Sequence, residues 1–237
     1  MNPNLGRMGG ACALLLVACF VAGIAMMASS GVQVLIPETG KNGLDWLVDA
    51  NDGGNLFVAG AVIVVFGGLL AIGAFLGLHD VLRPAGSLVT VATVAGIAGM
   101  VLVTISHATP IALAKHLAPQ YLSATGAEKA SLAATQHTWA SFCLLMNYFG
   151  DTLAWGVTTP IYAIAALRLK VGPRAIGWLG LVSAFFAGWV GLFSPLSSTI
   201  DGITTIGFFA FFVFIAGMGV VLLRRGERVE AAAVTAA

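Results

Sequence analysis

The chain has 237 residues, of which 59% are hydrophobic and 9% are charged, and its formal net charge is +1. A soluble globular domain carries about 25% charged residues, so this composition excludes an ordinary soluble protein and predicts an integral membrane protein. The nearly neutral charge, with no basic stripe, excludes a nucleic-acid partner and makes the lipid bilayer the first expected partner.

Six segments are long and apolar enough to cross a bilayer, which takes about 20 residues in a helix. In chain order they are residues 9–30, 56–79, 87–110, 138–166, 175–196 and 202–223. The sequence therefore predicts an all-α fold, a polytopic bundle of six transmembrane helices. We expect one transmembrane domain over residues 1–223, followed by a cytoplasmic tail over residues 224–237.

The first segment begins like a secretory signal, with Arg7 before an apolar run and "LVAC" at residues 16–19. The apolar region of a signal peptide is about 7–15 residues long. Here the run continues beyond Cys19 through "FVAGIAMM". We therefore interpret this segment as an uncleaved first helix.

The basic residues divide unevenly between the two sides of the predicted bundle. With the N-terminus inside, 8 of the 11 Lys and Arg residues lie on the cytoplasmic side and 3 lie outside. The inner set is Arg7, Arg83, Arg168, Lys170, Arg174, Arg224, Arg225 and Arg228, and the outer set is Lys41, Lys115 and Lys129. This bias follows the positive-inside rule. It predicts cytoplasmic N and C termini in a multi-pass protein of the bacterial inner (plasma) membrane.

Two predicted outer loops, residues 31–55 and 111–136, are long for simple connections and are expected to contain structure of their own. In the second loop, "IALAKHLAPQYLS" has apolar residues at helical spacing and predicts an interfacial helix. In the first loop, "GLDWLVDA" predicts a short amphipathic turn with Trp46 at the headgroup level.

The fourth segment carries polar residues that a spanning helix usually lacks. Asp151 is expected near the bilayer centre, about 20 Å from the outer end of the helix, where an Asp costs about 2.5–3.5 kcal/mol on insertion scales. At about 100° per residue, His137, Asn147, Tyr148 and Asp151 share one face of the helix. Such residues almost always face the bundle interior. The sequence thus predicts a polar stripe inside the bundle, and a buried structural hydrogen bond of Asp151 is the alternative interpretation.

His107, near the outer end of the third segment, is expected at the same depth as His137. Two histidines on adjacent helices could ligate a haem iron or another metal, because neutral imidazole suits both. No HExxH motif, paired cysteine spacing or acidic cluster supports a metal site. Satisfied interfacial histidines are the alternative, and the sequence identifies no cofactor.

The stretch "LRLKVGPRAIGWLGLVSA", Leu167 to Ala184, resembles an uncharacterised family of bacterial six-helix membrane proteins, known as a domain of unknown function. Members have a long loop after the first helix, a His-containing start to the fourth, and a basic Pro-Arg turn before a Gly/Leu-rich fifth. The matching features here are the loop 31–55, "QHTW" at 136–139, Pro173-Arg174, Gly177 and Gly180. Members often have an aromatic and acidic pair after the histidine, where this chain has Thr138-Trp139. The resemblance implies the six-helix fold and no particular activity.

The predicted function is the binding of a small or lipid-like ligand in an outward-facing polar cavity of the helix bundle. The predicted lining residues are His107, His137, Asn147, Tyr148 and Asp151. Three alternatives are an accessory subunit with a membrane-protein partner in a larger complex, a haem-bearing membrane electron carrier, and a proton-coupled transporter that relies on protonation of Asp151. Because no GxSxG motif or paired nucleophile and base is present, the sequence identifies no catalytic residue and leaves enzymatic activity open.

Overall fold

A computed structural model describes residues 3–32, 35–196 and 198–235. Every regular element in this part of the chain is helical. The α-helices are α1 (Pro3–Ser29), α2 (Gly40–Leu82), α3 (Leu88–Ala112), α4 (Ala118–Ser123), α5 (Gly126–Asp151), α6 (Thr159–Arg168), α7 (Arg174–Ser183) and α8 (Ser198–Thr235). Three π-helices, π1 (Leu113–Leu117), π2 (Thr152–Thr158) and π3 (Ala184–Val190), and two 3-10 turns (Arg83–Ala85 and Gly191–Leu196) complete the set. The prediction of an all-α fold is confirmed.

Five helices in the described residues are long and apolar enough to cross a membrane. They are Asn4–Ser29, Gly40–Ala85, Leu88–Ser123, Arg174–Phe193 and Gly202–Arg225. These runs overlap five of the six segments predicted from the sequence, with ends that differ by a few residues, and they support a multi-pass helical membrane protein. Which side each terminus lies on stays a prediction.

The fourth predicted segment, residues 138–166, is not among these five spans. It lies in a continuous helical run formed by α5, π2 and α6, so length is not the reason. Asn147 and Asp151 lower its hydropathy, as do the hydroxyl groups of π2 and the start of α6. The polar residues that were predicted to line a site therefore also lower the hydropathy of this segment, which is not among the five spans.

The two long outer loops of the prediction are largely helical. A break at Gly54, with φ 51° and ψ −132°, separates residues 40–53 from the rest of α2. α3 continues through π1 into α4, and α5 begins at Gly126. The predicted interfacial helix in "IALAKHLAPQYLS" is thus confirmed as a helix. "GLDWLVDA" forms more than a turn, because it belongs to a helical segment of 14 residues between Gly40 and Gly53.

The chain forms two compact units, each of which gathers helix segments from distant parts of the sequence. Unit 1 comprises the described parts of Met1–Val17, Leu69–Val101 and Phe149–Ala237. Unit 2 comprises those of Ala18–Gly68 and Leu102–Tyr148.

Unit 2 has an apolar core in which the helical segment of residues 40–53 packs. Trp46, Leu47 and Phe57 are buried with Leu113 and Leu117 of π1, whereas Asp45, Asp49 and Asp52 on the opposite face are exposed. This amphipathic pattern explains why the segment forms a helix that packs its apolar face on the core.

Two side-chain hydrogen bonds join distant parts of the chain in unit 2. Gln136 Nε2 donates to the Glu38 carbonyl at 3.0 Å, and Lys115 Nζ donates to Asn55 Oδ1 at 2.6 Å.

Unit 1 is packed through small residues that let backbones approach each other. A Cβ built on Gly77 of α2 would lie 2.6 Å from Gly9 Cα of α1. A Cβ on Gly99 of α3 would lie 2.6 Å from the Gly150 carbonyl oxygen of α5. Helices in lipid associate largely through such close van der Waals packing, which accounts for the high glycine content of the chain.

Candidate functional site

A polar contact between α3 and α5 lies within unit 2. Ser106 Oγ, fully buried, donates to Asn147 Oδ1 at 3.4 Å. The neighbouring His107 side chain also forms a hydrogen bond with Asn147. Three polar side chains from two helices therefore meet in unit 2, and two of them, His107 and Asn147, were predicted from the sequence.

His107 has one ring nitrogen that the described residues leave unsatisfied. Its ring packs edge-on against Phe20 of α1, with centroids 6.2 Å apart and an interplanar angle of 64°. Nδ1 is buried and has no hydrogen-bond partner in the part of the chain that the structure describes. Leaving a buried polar atom unpaired costs about 1–3 kcal/mol, so this atom needs an explanation.

The other predicted site residues differ in their surroundings. His137 is exposed on α5, whereas Asn147, Tyr148 and Asp151 are half-buried. Asp151 belongs to unit 1, and the four other predicted residues belong to unit 2. The predicted polar stripe is thus not buried along its whole length, because its end at His137 is exposed.

Directly after Asp151 the helix changes from α to π, and two threonine hydroxyls bond to carbonyls in the wider turn. The Thr158 hydroxyl, with its one hydrogen, lies within donating distance of two carbonyls, that of Leu153 at 2.9 Å and that of Ala92 in α3 at 2.8 Å. Thr159 Oγ1 donates to the Ala154 carbonyl at 2.8 Å. Single π turns inside α-helices are frequent at functional sites.

Pro160 explains a third bond in this region. Proline has no N–H, so an α-helix that contains Pro160 leaves the carbonyl four residues earlier, that of Gly156, without its usual donor. Trp189 Nε1 of π3 donates to this carbonyl at 3.0 Å. The two π-helices also touch closely, since a Cβ on Gly188 would lie 2.6 Å from Gly156 Cα.

Sequence reasoning missed a second polar cluster, which lies in unit 1. Thr93 Oγ1 donates to the Val89 carbonyl at 2.7 Å and lies 2.7 Å from Tyr162 Oη and 3.0 Å from His79 Nδ1. Tyr162 Oη also donates to the Phe75 carbonyl at 3.2 Å. The cluster joins α2, α3 and α6. No spacing in the sequence pairs residues this far apart, so only His79 offered a signal.

The two hydroxyls of this cluster have one hydrogen each, which they share among the Val89 carbonyl, the Phe75 carbonyl and each other. Through these contacts and that of His79 with Thr93, the cluster ties α2, α3 and α6 together.

Two further buried polar atoms in unit 1 have no partner among the described residues, Trp155 Nε1 and Ser183 Oγ. The Trp155 ring packs against Phe211 of α8, with centroids 5.0 Å apart. Within the same described ranges, no three His, Cys, Asp or Glu side chains gather as a metal site would require.

No protein-family model matches the chain, and no curated protein or solved structure matches it either.

Proposed function

We propose that this protein is a multi-pass membrane protein that binds a small polar or lipid-like molecule at the contact of Ser106, His107 and Asn147. The observation that carries the proposal is the buried His107 Nδ1, which has no partner among the described residues. A ligand that supplies the missing hydrogen-bond group would remove the cost of that unpaired atom.

The chemistry of the contact favours a ligand with both polar and apolar parts. Asn147 and His107 offer donors and acceptors, and the Phe20 ring offers an apolar wall. Ligand sites are usually apolar pockets with a few convergent polar groups. The proposal keeps His107 and Asn147 from the predicted lining set and adds Ser106. It leaves out His137, because the His137 side chain is exposed.

The membrane setting of the proposal is the predicted one: six spans, both termini in the cytoplasm and a bacterial inner membrane. The likeness of Leu167–Ala184 to an uncharacterised six-helix family fits this setting. That family has no established activity, so the likeness does not bear on the ligand.

The test is mass spectrometry of small molecules extracted from the protein after purification in a mild detergent. We expect one compound at a near-stoichiometric amount in the unaltered protein. His107→Leu should weaken its retention about tenfold, the equivalent of 1.4 kcal/mol. His116→Leu is the matched control, because His116 is exposed on π1 of the same unit.

Asn147→Leu, which keeps the branched heavy-atom skeleton of the side chain and removes its polar atoms, gives a second variant in case His107→Leu fails to fold. Equal retention in all variants, or no enriched compound in the unaltered protein, would contradict the proposal. A Soret band in the visible spectrum of the same sample would instead favour the haem-bearing carrier, and a stoichiometric protein partner would favour the accessory subunit.

A further inference from the structure

The turn between α6 and α7 keeps a lysine where a glycine is usual. α6 ends in a Schellman motif, in which Val171 N–H donates to the Ala166 carbonyl at 2.8 Å and Lys170 N–H donates to the Leu167 carbonyl at 3.3 Å. The residue that closes this motif adopts a left-handed conformation and is most often glycine. Here it is Lys170, at φ 52°, the one non-glycine residue with positive φ in the described chain.

A left-handed conformation is unfavourable for a residue with a Cβ. Unfavourable backbone conformations of this kind cluster at functional sites. The Lys170 side chain is exposed, and no ion pair satisfies it within the described residues. Packing therefore gives no reason for a lysine at this position, and the ammonium group is what remains to explain it.

The rest of the turn packs closely and is followed by a second basic residue. Gly172, at φ 84°, packs against Val221 of α8, and a Cβ on Gly172 would lie 2.8 Å from Val221 Cγ2. Pro173 caps α7, and its carbonyl accepts from Ile176 N–H at 3.1 Å. Arg174, the first residue of α7, therefore comes directly after this packed turn, four residues from Lys170.

Lys170 and Arg174 line a small surface depression, about 180 Å³ when the open solvent at its mouth is included, with Leu167 and Gly177 among its other lining residues. Leu167 and Gly177 are in tight contact, since a Cβ on Gly177 would lie 2.6 Å from Leu167 Cγ. In the described chain, the depression is thus lined by two positively charged side chains and by apolar residues, with no acidic residue among them.

An exposed apolar ridge, formed by Trp178, Val182, Phe185 and Trp189, begins four residues after Arg174. Trp178 is 61% exposed, and Val182, Phe185 and Trp189 follow at spacings of three or four residues on α7 and π3. Side chains at this spacing share one face of a helix. Tryptophan favours the headgroup level of a bilayer. With Trp178 at that level, Lys170 and Arg174 lie at the membrane surface, and the rest of the ridge lies along the acyl chains.

We propose that this turn is a binding site for an anionic phospholipid, with the phosphodiester headgroup between Lys170 and Arg174 and the acyl chains along Trp178 and Phe185. The positive charges of Lys170 and Arg174 complement the negative charge of the headgroup. The exposed apolar side chains of the ridge suit contact with the acyl chains of the same lipid. A basic pocket at the end of membrane helices is a known type of headgroup site.

The test is native mass spectrometry of the full chain in detergent, titrated with phosphatidylglycerol and with phosphatidylcholine of the same acyl chains. We expect phosphatidylglycerol to bind at least about fivefold more tightly, and Lys170→Gly and Arg174→Gln each to remove about fivefold in affinity, as expected for one charge near a membrane surface. Lys170→Arg should restore binding, and Lys41→Gln, a change at an exposed lysine of unit 2, should leave it unchanged.

Lys170→Gly separates binding from folding, because glycine is the preferred residue at this position of the motif. The variant should therefore unfold no more easily than the unaltered protein while it loses the lipid. Unchanged phosphatidylglycerol binding in Lys170→Gly would overturn the proposal, and so would equal binding of the two lipids. Full competition by inorganic phosphate at the lipid's own concentration would assign the site to free phosphate instead.

Discussion

At the scale of single residues, Tyr162 connects three helices through one side chain. It is fully buried, its ring packs edge-on against Phe75 with centroids 5.9 Å apart, and its hydroxyl bonds to Thr93 and to the Phe75 carbonyl. A buried hydroxyl with two partners in apolar surroundings holds the helices that carry those partners in one rotation. Tyr162 therefore positions α6 against α2 and α3 inside unit 1.

Tyr162→Phe keeps the ring and removes only the hydroxyl. We expect it to lower the free energy of unfolding by about 0.5–1.5 kcal/mol, the usual net value of an intramolecular hydrogen bond. Tyr121→Phe is the control: the Tyr121 ring lies under Lys129 Nζ at 4.7 Å from its centroid, and no described residue bonds to its hydroxyl. Denaturant titration in detergent micelles measures the free energy of unfolding of both variants. Equal stability of the two variants would show that the cluster around Thr93 does not stabilise the fold.

At the scale of helical elements, the run from α5 through π2 to α6 shows how one proline is accommodated. Pro160 removes a backbone donor, Thr158 and Thr159 bond to carbonyls within the wider π turn, and Trp189 of π3 supplies the donor for Gly156. In lipid, freed backbone groups are satisfied by hydroxyl side chains and neighbouring helices in this way. In the irregular segment, side-chain donors therefore lie within bonding distance of the carbonyls of Leu153, Ala154 and Gly156.

A double-mutant cycle tests this account of the joint. Trp189→Phe removes the indole donor and should cost about 1 kcal/mol when residue 160 is proline. In the Pro160→Ala background a backbone N–H is available to Gly156, so the cost of Trp189→Phe should fall and the coupling energy should be about 0.5–1.5 kcal/mol. Trp178→Phe, at an exposed tryptophan without a hydrogen bond in the described chain, should show no coupling to Pro160→Ala.

At the scale of the whole molecule, the polar fourth helix decides the topology. If α5 to α6 crosses the membrane, the α6–α7 turn lies on the opposite side from Lys129. If it does not, both lie on the same side. The bias of basic residues favours the crossing, even though residues 138–166 fall outside the five spans found by length and hydropathy.

Labelling with a membrane-impermeant maleimide distinguishes the two topologies. In a background with Cys12, Cys19 and Cys143 replaced by alanine, we expect Lys129→Cys to react in intact cells and Arg168→Cys to react only after the membrane is opened. A cysteine placed after residue 225 should behave like Arg168→Cys. Labelling of Arg168→Cys and Lys129→Cys from the same side would contradict the six-span topology.

The sequence alone determined the membrane class, the helical fold and the approximate position of most helices. Each of these follows from composition and length, because a backbone in lipid must satisfy its own polar groups and a helix does so locally. The helical nature of "IALAKHLAPQYLS" was predictable for the same reason: its apolar spacing is a local property. Asn147 and His107 could be singled out because polar residues are rare in such helices.

Only the tertiary structure decided which polar residues meet. A helical wheel gives the angles between residues of one helix but not its rotation against its neighbours, so it could not tell that His137 is exposed or that Ser106 reaches Asn147. The links from Tyr162 to Thr93 and from Trp189 to Gly156 join residues 69 and 33 positions apart. The left-handed Lys170 depends on how α6 ends and α7 begins above Val221. These features come from packing between helices, which depends on contacts that no local stretch of sequence contains.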